Sequence, residues 1–166
     1  MAEIQKFTLA YVAPEDRIAW DTEDDQGATT RLWLTQRFCR QFVEAVIARL
    51  PAPASSGSPE HAEAAQSFEQ AAAMSSFGKT SRVRVDAGAA AGLVSQVQIR
   101  PRVGGLILAF EFGDGERRDI AMTSAATRQM LGVMHGLYLA AGWPAEFWPA
   151  WIATPPTRDA DSASLH

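Results

Sequence analysis

The chain has little of several residue types, and each shortage excludes a class of protein. Cys39 is the one cysteine among 166 residues, which excludes an intramolecular disulfide framework and a zinc site built on paired cysteines. No apolar run approaches the roughly 20 residues that span a bilayer, so we expect no membrane association. The N-terminal stretch lacks a basic region followed by an apolar one, unlike a secretory signal. We therefore expect a cytoplasmic protein.

Lysine is also scarce, although the chain is not poor in charge. Lys6 and Lys79 are the two lysines among 15 basic residues, and alanine is abundant, a composition that we interpret as the mark of a high-GC bacterial genome. With 19 acidic residues the formal net charge is −4, which argues against a dedicated nucleic-acid binder unless basic residues cluster locally. The length fits one domain, or two halves that share a core without a disulfide or metal.

Residues 1–50 are predicted as three strands followed by a helix. Apolar residues alternate over three stretches, as they do in half-buried strands. After Thr35, a predicted N-cap, apolar residues recur at helical spacing until Pro51 stops the helix. The three predicted strands are residues 4–12, 17–22 and 29–35. This stretch is the first predicted βββα unit.

Residues 51–80 are predicted as a linker that contains an Ala-rich helix. Ser58 and Pro59 form a helix start, and a helix of weak amphipathicity follows to about residue 75. Ala73–Thr80 matches a relaxed Walker A pattern, but a phosphate loop needs a strand before it and a helix after it. Here a helix precedes the pattern and a strand-like stretch follows it, so we expect a simple connection.

Residues 81–142 are predicted as a second βββα unit. Thr123 is the predicted N-cap of its long helix, and Gly142 is the predicted end. Glycine-rich turns separate the strands, of which the first is short. The predicted strands are residues 82–85, 93–102, 106–112 and 116–122.

The second unit repeats the pattern of the first. When Thr35 is placed on Thr123, an offset of 88 residues, the apolar positions of the two halves agree. Duplicated units of this kind usually share one core. The predicted fold class is therefore α+β, with two pseudo-repeated βββα units whose antiparallel sheets pack with two long helices.

Residues 143–153 form a Trp-rich segment. Three of the five tryptophans lie in it, with a phenylalanine among them. Soluble monomers avoid large exposed apolar patches, so we expect the segment either to fold back as a lid or to dock on a partner. The predicted partner-binding residues are Trp143, Phe147, Trp148 and Trp151. Residues 154–166 have the composition of a disordered tail.

A second candidate surface consists of arginines in the predicted strands. Arginines at alternate positions of a strand project from one face of the sheet, and a positive face with aromatic side chains binds single-stranded nucleic acid. The alternative is an ordinary solvated face in a chain that uses arginine in place of lysine. The candidate nucleic-acid-binding residues are Arg31, Trp33, Arg82, Arg84, Arg100, Arg102, Arg117 and Arg118.

In outline, tandem strand-rich units that each end in a helix resemble the Whirly and PUR-type single-strand binders. The resemblance concerns the fold alone, because this chain matches no signature residues of those families. It implies single-stranded DNA or RNA as the ligand of the arginine-rich face.

The chain carries no convergent polar pattern that indicates catalysis. We predict no catalytic residues, no metal and no cofactor; a dyad of Cys39 and His135 on the two long helices is the catalytic arrangement left open. Our first hypothesis is a non-catalytic interaction or assembly module, adaptor-like or chaperone-like, that binds a protein partner or associates with itself as a homodimer. Single-stranded nucleic-acid binding is the alternative, and an enzyme with an unrecognised site is the third hypothesis.

Overall fold

The computed structural model describes residues 2–53, 57–78 and 81–154. Its elements follow the order three strands, two helices, three strands and two helices, which confirms the α+β class. The strands are β1 (Ala2–Val12), β2 (Arg17–Asp24), β3 (Thr29–Thr35), β4 (Ala90–Arg102), β5 (Gly105–Phe112) and β6 (Glu116–Thr123). The helices are α1 (Gln36–Arg49), α2 (Pro59–Ser76), α3 (Ser124–Ala141) and the one-turn α4 (Ala150–Ala153).

The six strands form one closed sheet in chain order. Neighbouring strands are antiparallel within the first three strands and within the last three. Parallel pairing of β3 with β4, and of β1 with β6, joins the two sets. The expectation of separate antiparallel sheets is therefore wrong, because each outer strand pairs with the other set instead of leaving an edge exposed. The duplication of βββα units stays a prediction.

The three long helices begin at the side chains that the sequence indicates. The hydroxyls of Thr35, Ser58 and Thr123 accept hydrogen bonds from the third amide of their helices at 3.2, 3.4 and 3.1 Å. Each bond satisfies a backbone donor that has no partner within the helix. Gly142 ends α3 with a φ of 69°, a conformation that glycine adopts without a steric penalty.

The core lies between the inner face of the sheet and the apolar faces of α1 and α3. At its centre Trp20 of β2, Phe42 of α1 and Phe110 of β5 form an aromatic triangle, with ring centroids 6.1, 5.4 and 5.8 Å apart. All three side chains are at most 1% exposed. Because the triangle draws one ring from each strand set and one from α1, its contacts hold these three elements together.

The Ala-rich helix α2 packs against α3 through polar side chains. Gln70 Nε2 donates to the Arg128 carbonyl at 2.8 Å, and Gln129 Nε2 donates to the Ala73 carbonyl at 3.0 Å. Arg128 Nη2 donates to Gln66 Oε1 at 2.6 Å. These bonds explain how a helix with a thin apolar stripe is held in place.

The connection from α2 to β4 crosses the outer face of the first three strands. The Val83 amide donates to Thr8 Oγ1 on β1 at 2.9 Å, and the Asp86 amide donates to Thr29 Oγ1 on β3 at 3.0 Å. The predicted strand at 82–85 is wrong, because these amides bond to side-chain hydroxyls and the segment joins no sheet. A strand-like alternation does not by itself provide a neighbouring strand.

Two predictions reach beyond the described ranges. Lys79 and Thr80 of the Walker-like pattern lie outside them, whereas Ala73–Ser76 belong to the end of α2. The predicted tail lies outside them from residue 155 onward. None of the helices in the described ranges combines the length and apolar character needed to cross a membrane.

We expect Phe42→Ala to lower the free energy of unfolding by about 3–5 kcal/mol, because it removes one ring of the triangle and leaves a cavity. Phe68→Ala on α2 is the matched control, since Phe68 is 73% exposed and its loss should cost less than about 0.5 kcal/mol. Urea unfolding followed by circular dichroism measures both values. Equal losses in the two variants would show that the triangle does not hold the core.

Candidate partner-binding groove

The Trp-rich segment folds back on the rest of the chain. Trp143 and Trp148 are 7% and 5% exposed, and both rings pack edge-on against Tyr138 of α3 with centroids 5.1 and 5.4 Å away. Such edge-to-face contacts between aromatic rings are favourable beyond the area they bury. The two tryptophans therefore anchor the segment to α3.

Asp16, in the turn between β1 and β2, holds the start of this segment. Its Oδ1 accepts from Trp143 Nε1 at 3.0 Å and from the Tyr11 hydroxyl at 2.7 Å. Its φ of 49° is the one positive value among the described non-glycine residues, a conformation that aspartate tolerates better than most residues do. The two donors, Tyr11 first, hold the pKa of Asp16 below its usual value.

A groove of about 640 Å³ runs between α2, α3 and α4. Its floor is Gly132 and Gly136, one turn apart on α3. The side chain of Met74 fills the space over Gly132, where an added Cβ would lie 2.6 Å from its sulfur, whereas nothing lies within 4 Å of a Cβ at Gly136. Leu139, 62% exposed, and Trp151 line the groove as well. The groove is therefore open and largely apolar above Gly136.

Three polar side chains, those of Gln70, Ser75 and His135, line the groove without adding a charge to it. Gln70 is buried, and its Oε1 has no hydrogen-bond partner in the described part of the chain. His135 packs edge-on against Trp148 at 5.2 Å, and burial lowers its pKa, so its ring is neutral at neutral pH. Around the groove, α2 contains glutamates and neither lysine nor arginine, and the guanidinium of Arg128 lies beside Trp151.

The predicted partner-binding residues occupy two kinds of position. Trp143 and Trp148 are buried anchors, while Phe147 and Trp151 are half-buried. Trp151 lines the groove, and the guanidinium of Arg128 lies 5.3 Å from its ring centroid. Phe147 lines a separate cleft beside α1. Partner binding by the four residues stays a prediction, and the half-buried pair supplies the accessible surface for it.

Three of the seven candidate nucleic-acid-binding arginines form ion pairs with carboxylates. Arg31 makes two bonds of 2.7 Å to Asp21 and lies over the Trp33 ring at 5.6 Å. Weaker ion pairs hold two arginines of β4, Arg100 to Asp119 at 3.3 Å and Arg102 to Glu3 at 2.9 Å.

The other candidate arginines lie at separate places in the structure. Arg82 and Arg84 are exposed on the connection that crosses the sheet, so their predicted place in a strand is wrong. Arg117 is exposed on β6, and the Nε of Arg118 on the same strand is buried with no hydrogen-bond partner in the described ranges. The arginines therefore do not form one uninterrupted positive face, and nucleic-acid binding by them stays a prediction.

The arrangement of Cys39 and His135 offers little support for a nucleophilic dyad. Cys39 is fully buried in the core, and burial raises the pKa of its thiol to about 12. A thiol with that pKa is protonated and unreactive at neutral pH. Within residues 2–53, 57–78 and 81–154, no group of three His, Cys, Asp or Glu side chains is placed to hold a metal ion.

Apart from Trp151, the residues that line the groove were missed by sequence reasoning. Gly132 and Gly136 are spaced one turn apart on α3, a pattern that permits close approach of another segment. Leu139 and Met74 are apolar residues outside the buried stripes of their helices. These signals are visible in the sequence, but they acquire a meaning only when α2 and α4 are placed on either side of α3.

No protein-family model matches the chain, and comparisons with curated proteins and with solved structures find no match. The proposed function therefore rests on the α+β fold and on the groove.

We expect the docking of the Trp-rich segment to weaken in acid. Because the folded pKa of Asp16 is lowered, its contribution to stability is complete above the ordinary value of 3.8 and is lost as the pH falls through the folded value. Asp16→Asn keeps an amide oxygen and tolerates positive φ, but does not titrate. Between about pH 6 and about pH 3, wild type should lose more stability in urea unfolding than Asp16→Asn. Parallel pH profiles would contradict this role of Asp16.

Proposed function

We propose that the protein is a non-catalytic interaction module that holds an amphipathic helix of a partner protein in the groove between α2, α3 and α4. The observation that carries the proposal is the open apolar space over Gly136, next to the exposed side chain of Leu139. Apolar grooves between helices are a common seat for the apolar face of a partner helix.

The geometry of the groove favours a helix over a flat protein surface. Its floor at Gly136 has no side chain, so a partner side chain can approach the backbone of α3 closely. Trp151 and Leu139 line the same groove. Apolar residues one turn apart on a partner helix would fill such a space, as anchors do in helix-in-groove complexes.

The charge around the groove indicates which charged residues the partner helix should carry. Glu60, Glu63 and Glu69 lie on exposed positions of α2, and Arg128, beside Trp151, is buried. None of these glutamates lines the groove itself, but they make α2, which forms one of its walls, an acidic helix. An acidic wall is complementary to a helix whose apolar face is flanked by lysine or arginine. The partner is therefore a basic amphipathic helix.

The ion pairs of the sheet support this function over the nucleic-acid alternative. Arg31, Arg100 and Arg102 each face a carboxylate, so they are less available to phosphates. Phosphate contacts supply most of the affinity for nucleic acid. The alternative can be tested at Arg82, Arg84 and Arg117, which are exposed.

We also infer that the two halves of the chain arose by duplication. Each half contributes three antiparallel strands and a helix capped by threonine. Exchanging the halves would exchange the two parallel pairings, β3 with β4 and β6 with β1, as a pseudo-two-fold axis requires. These correspondences support the pseudo-repeat of βββα units.

We expect a Leu/Lys amphipathic peptide of about 15 residues to bind more tightly than a Leu/Glu peptide of the same pattern. Gly136→Leu fills the groove without straining α3, since leucine is a better helix former than glycine, and should weaken binding by about tenfold or more. Isothermal titration calorimetry measures the affinities. The matched control is Ala48→Leu, which adds a similar side chain at an exposed helical position of α1, outside the groove.

Equal affinities of Gly136→Leu and Ala48→Leu for the Leu/Lys peptide would contradict the proposal, because the peptide would then bind elsewhere. Tighter binding of the Leu/Glu peptide would contradict the charge argument. A labelled single-stranded oligonucleotide is the competing probe: steeply salt-dependent binding, lost in Arg82→Ala or Arg84→Ala, would favour the nucleic-acid alternative.

A further inference from the structure

A second cleft, of about 430 Å³, lies on the other side of the Trp-rich segment. Arg37 and Arg40, at the start of α1, line it together with Pro144 and Phe147. Tyr138 of α3 lines it as well, with its ring edge-on to Phe147 and centroids 5.5 Å apart. The arginines thus give the cleft a basic wall beside aromatic side chains, and none of its lining residues belongs to the groove.

The basic wall is suited to an anion. The first turn of α1 contains no acidic residue, so its free amides and Arg37 add positive potential at the helix N-terminus. Arg40 lies over the Phe147 ring at 5.2 Å. Its pairing with Glu44, at 3.4 Å and with both side chains more than half exposed, is too weak to fix it. Arg40 is therefore free to turn toward a ligand.

Tyr138 gives an independent indication of a ligand. It is 1% exposed, and its hydroxyl has no hydrogen-bond partner in the described part of the chain. A buried hydroxyl without a partner is costly and calls for an explanation. Burial raises the pKa of this hydroxyl, so it is protonated and can donate. Because Tyr138 lines the cleft together with Arg37 and Arg40, a ligand in the cleft is the natural acceptor.

We propose that this cleft binds a small carboxylate with an apolar or aromatic body. The carboxylate accepts hydrogen bonds from Arg37, Arg40 and the hydroxyl of Tyr138, and the body packs against Phe147. Because the hydroxyl is buried, a side chain of the cleft wall has to move when the ligand binds, and Arg40, which is weakly held, is the one we expect to move.

Asp16 at the rim of the cleft sets the preferred charge of the ligand. Its Oδ1 already accepts from Tyr11 and Trp143, but its carboxylate repels a second negative charge. A monoanionic carboxylate therefore fits better than a doubly charged phosphate ester. This inference concerns a different cavity from the groove, so it stands or fails separately from the proposed function.

The experiment is an NMR titration of the full chain with benzoate, and with benzyl alcohol as a neutral analogue of similar shape. We expect benzoate to bind at least about tenfold more tightly, because hydrogen bonds to a charged group are the stronger ones. Arg40→Gln and Tyr138→Phe should each weaken benzoate binding by about tenfold. Phenyl phosphate should bind more weakly than benzoate.

The matched control is Arg117→Gln, which removes an exposed arginine that does not line the cleft and should leave the affinity unchanged. Tyr138→Phe removes only the unpartnered hydroxyl, so a folded variant is expected, and its melting temperature verifies this. Equal binding of benzoate and benzyl alcohol, or equal losses in Arg40→Gln and Arg117→Gln, would overturn the proposal. Unchanged benzoate affinity in folded Tyr138→Phe would overturn the role of the hydroxyl.

Discussion

The aromatic triangle of Trp20, Phe42 and Phe110 is the contact on which the rest of the structure depends. It joins the first strand set, α1 and the second strand set at a point with no access to water. Burial of large rings is among the strongest single contributions to a core. This contact fixes α1, and α3 packs on the same core. The groove lined by α3 and the cleft lined by α1 are therefore both built on buried, well-packed helices.

The Trp-rich segment divides into anchors and presented side chains. Trp143 and Trp148 are buried against Tyr138, and Trp143 is also tied to the turn at Asp16. Between and beyond these anchors, Phe147 lines the cleft beside α1 and Trp151 lines the groove beside α2. One short segment thereby contributes to both cavities. Its buried tryptophans stabilise the fold, and its half-buried aromatic residues form accessible surface.

In this protein, neighbours in the tertiary structure determine whether a charged side chain is available to bind a ligand. The arginines of the strands suggested a positive face, but Asp21, Asp119 and Glu3 lie within ion-pair distance of three of them. Arg128 is buried beside Trp151, and the exposed glutamates of α2 make the nearby surface acidic. A carboxylate that is distant in sequence decides whether an arginine is available to a ligand, so spacing alone could not assign this face.

The sequence by itself determined the local structure: the alternating strands, the threonine and serine caps, the end of α3 at Gly142 and the α+β class. These features follow from contacts within a few residues, which a sequence pattern records directly. Only the tertiary structure decided that the strands form one closed sheet, that residues 82–85 lie across it, and that Gly136 and Tyr138 line cavities. Such features depend on which distant segments meet, and a one-dimensional pattern does not specify the partner of an exposed strand edge or helix face.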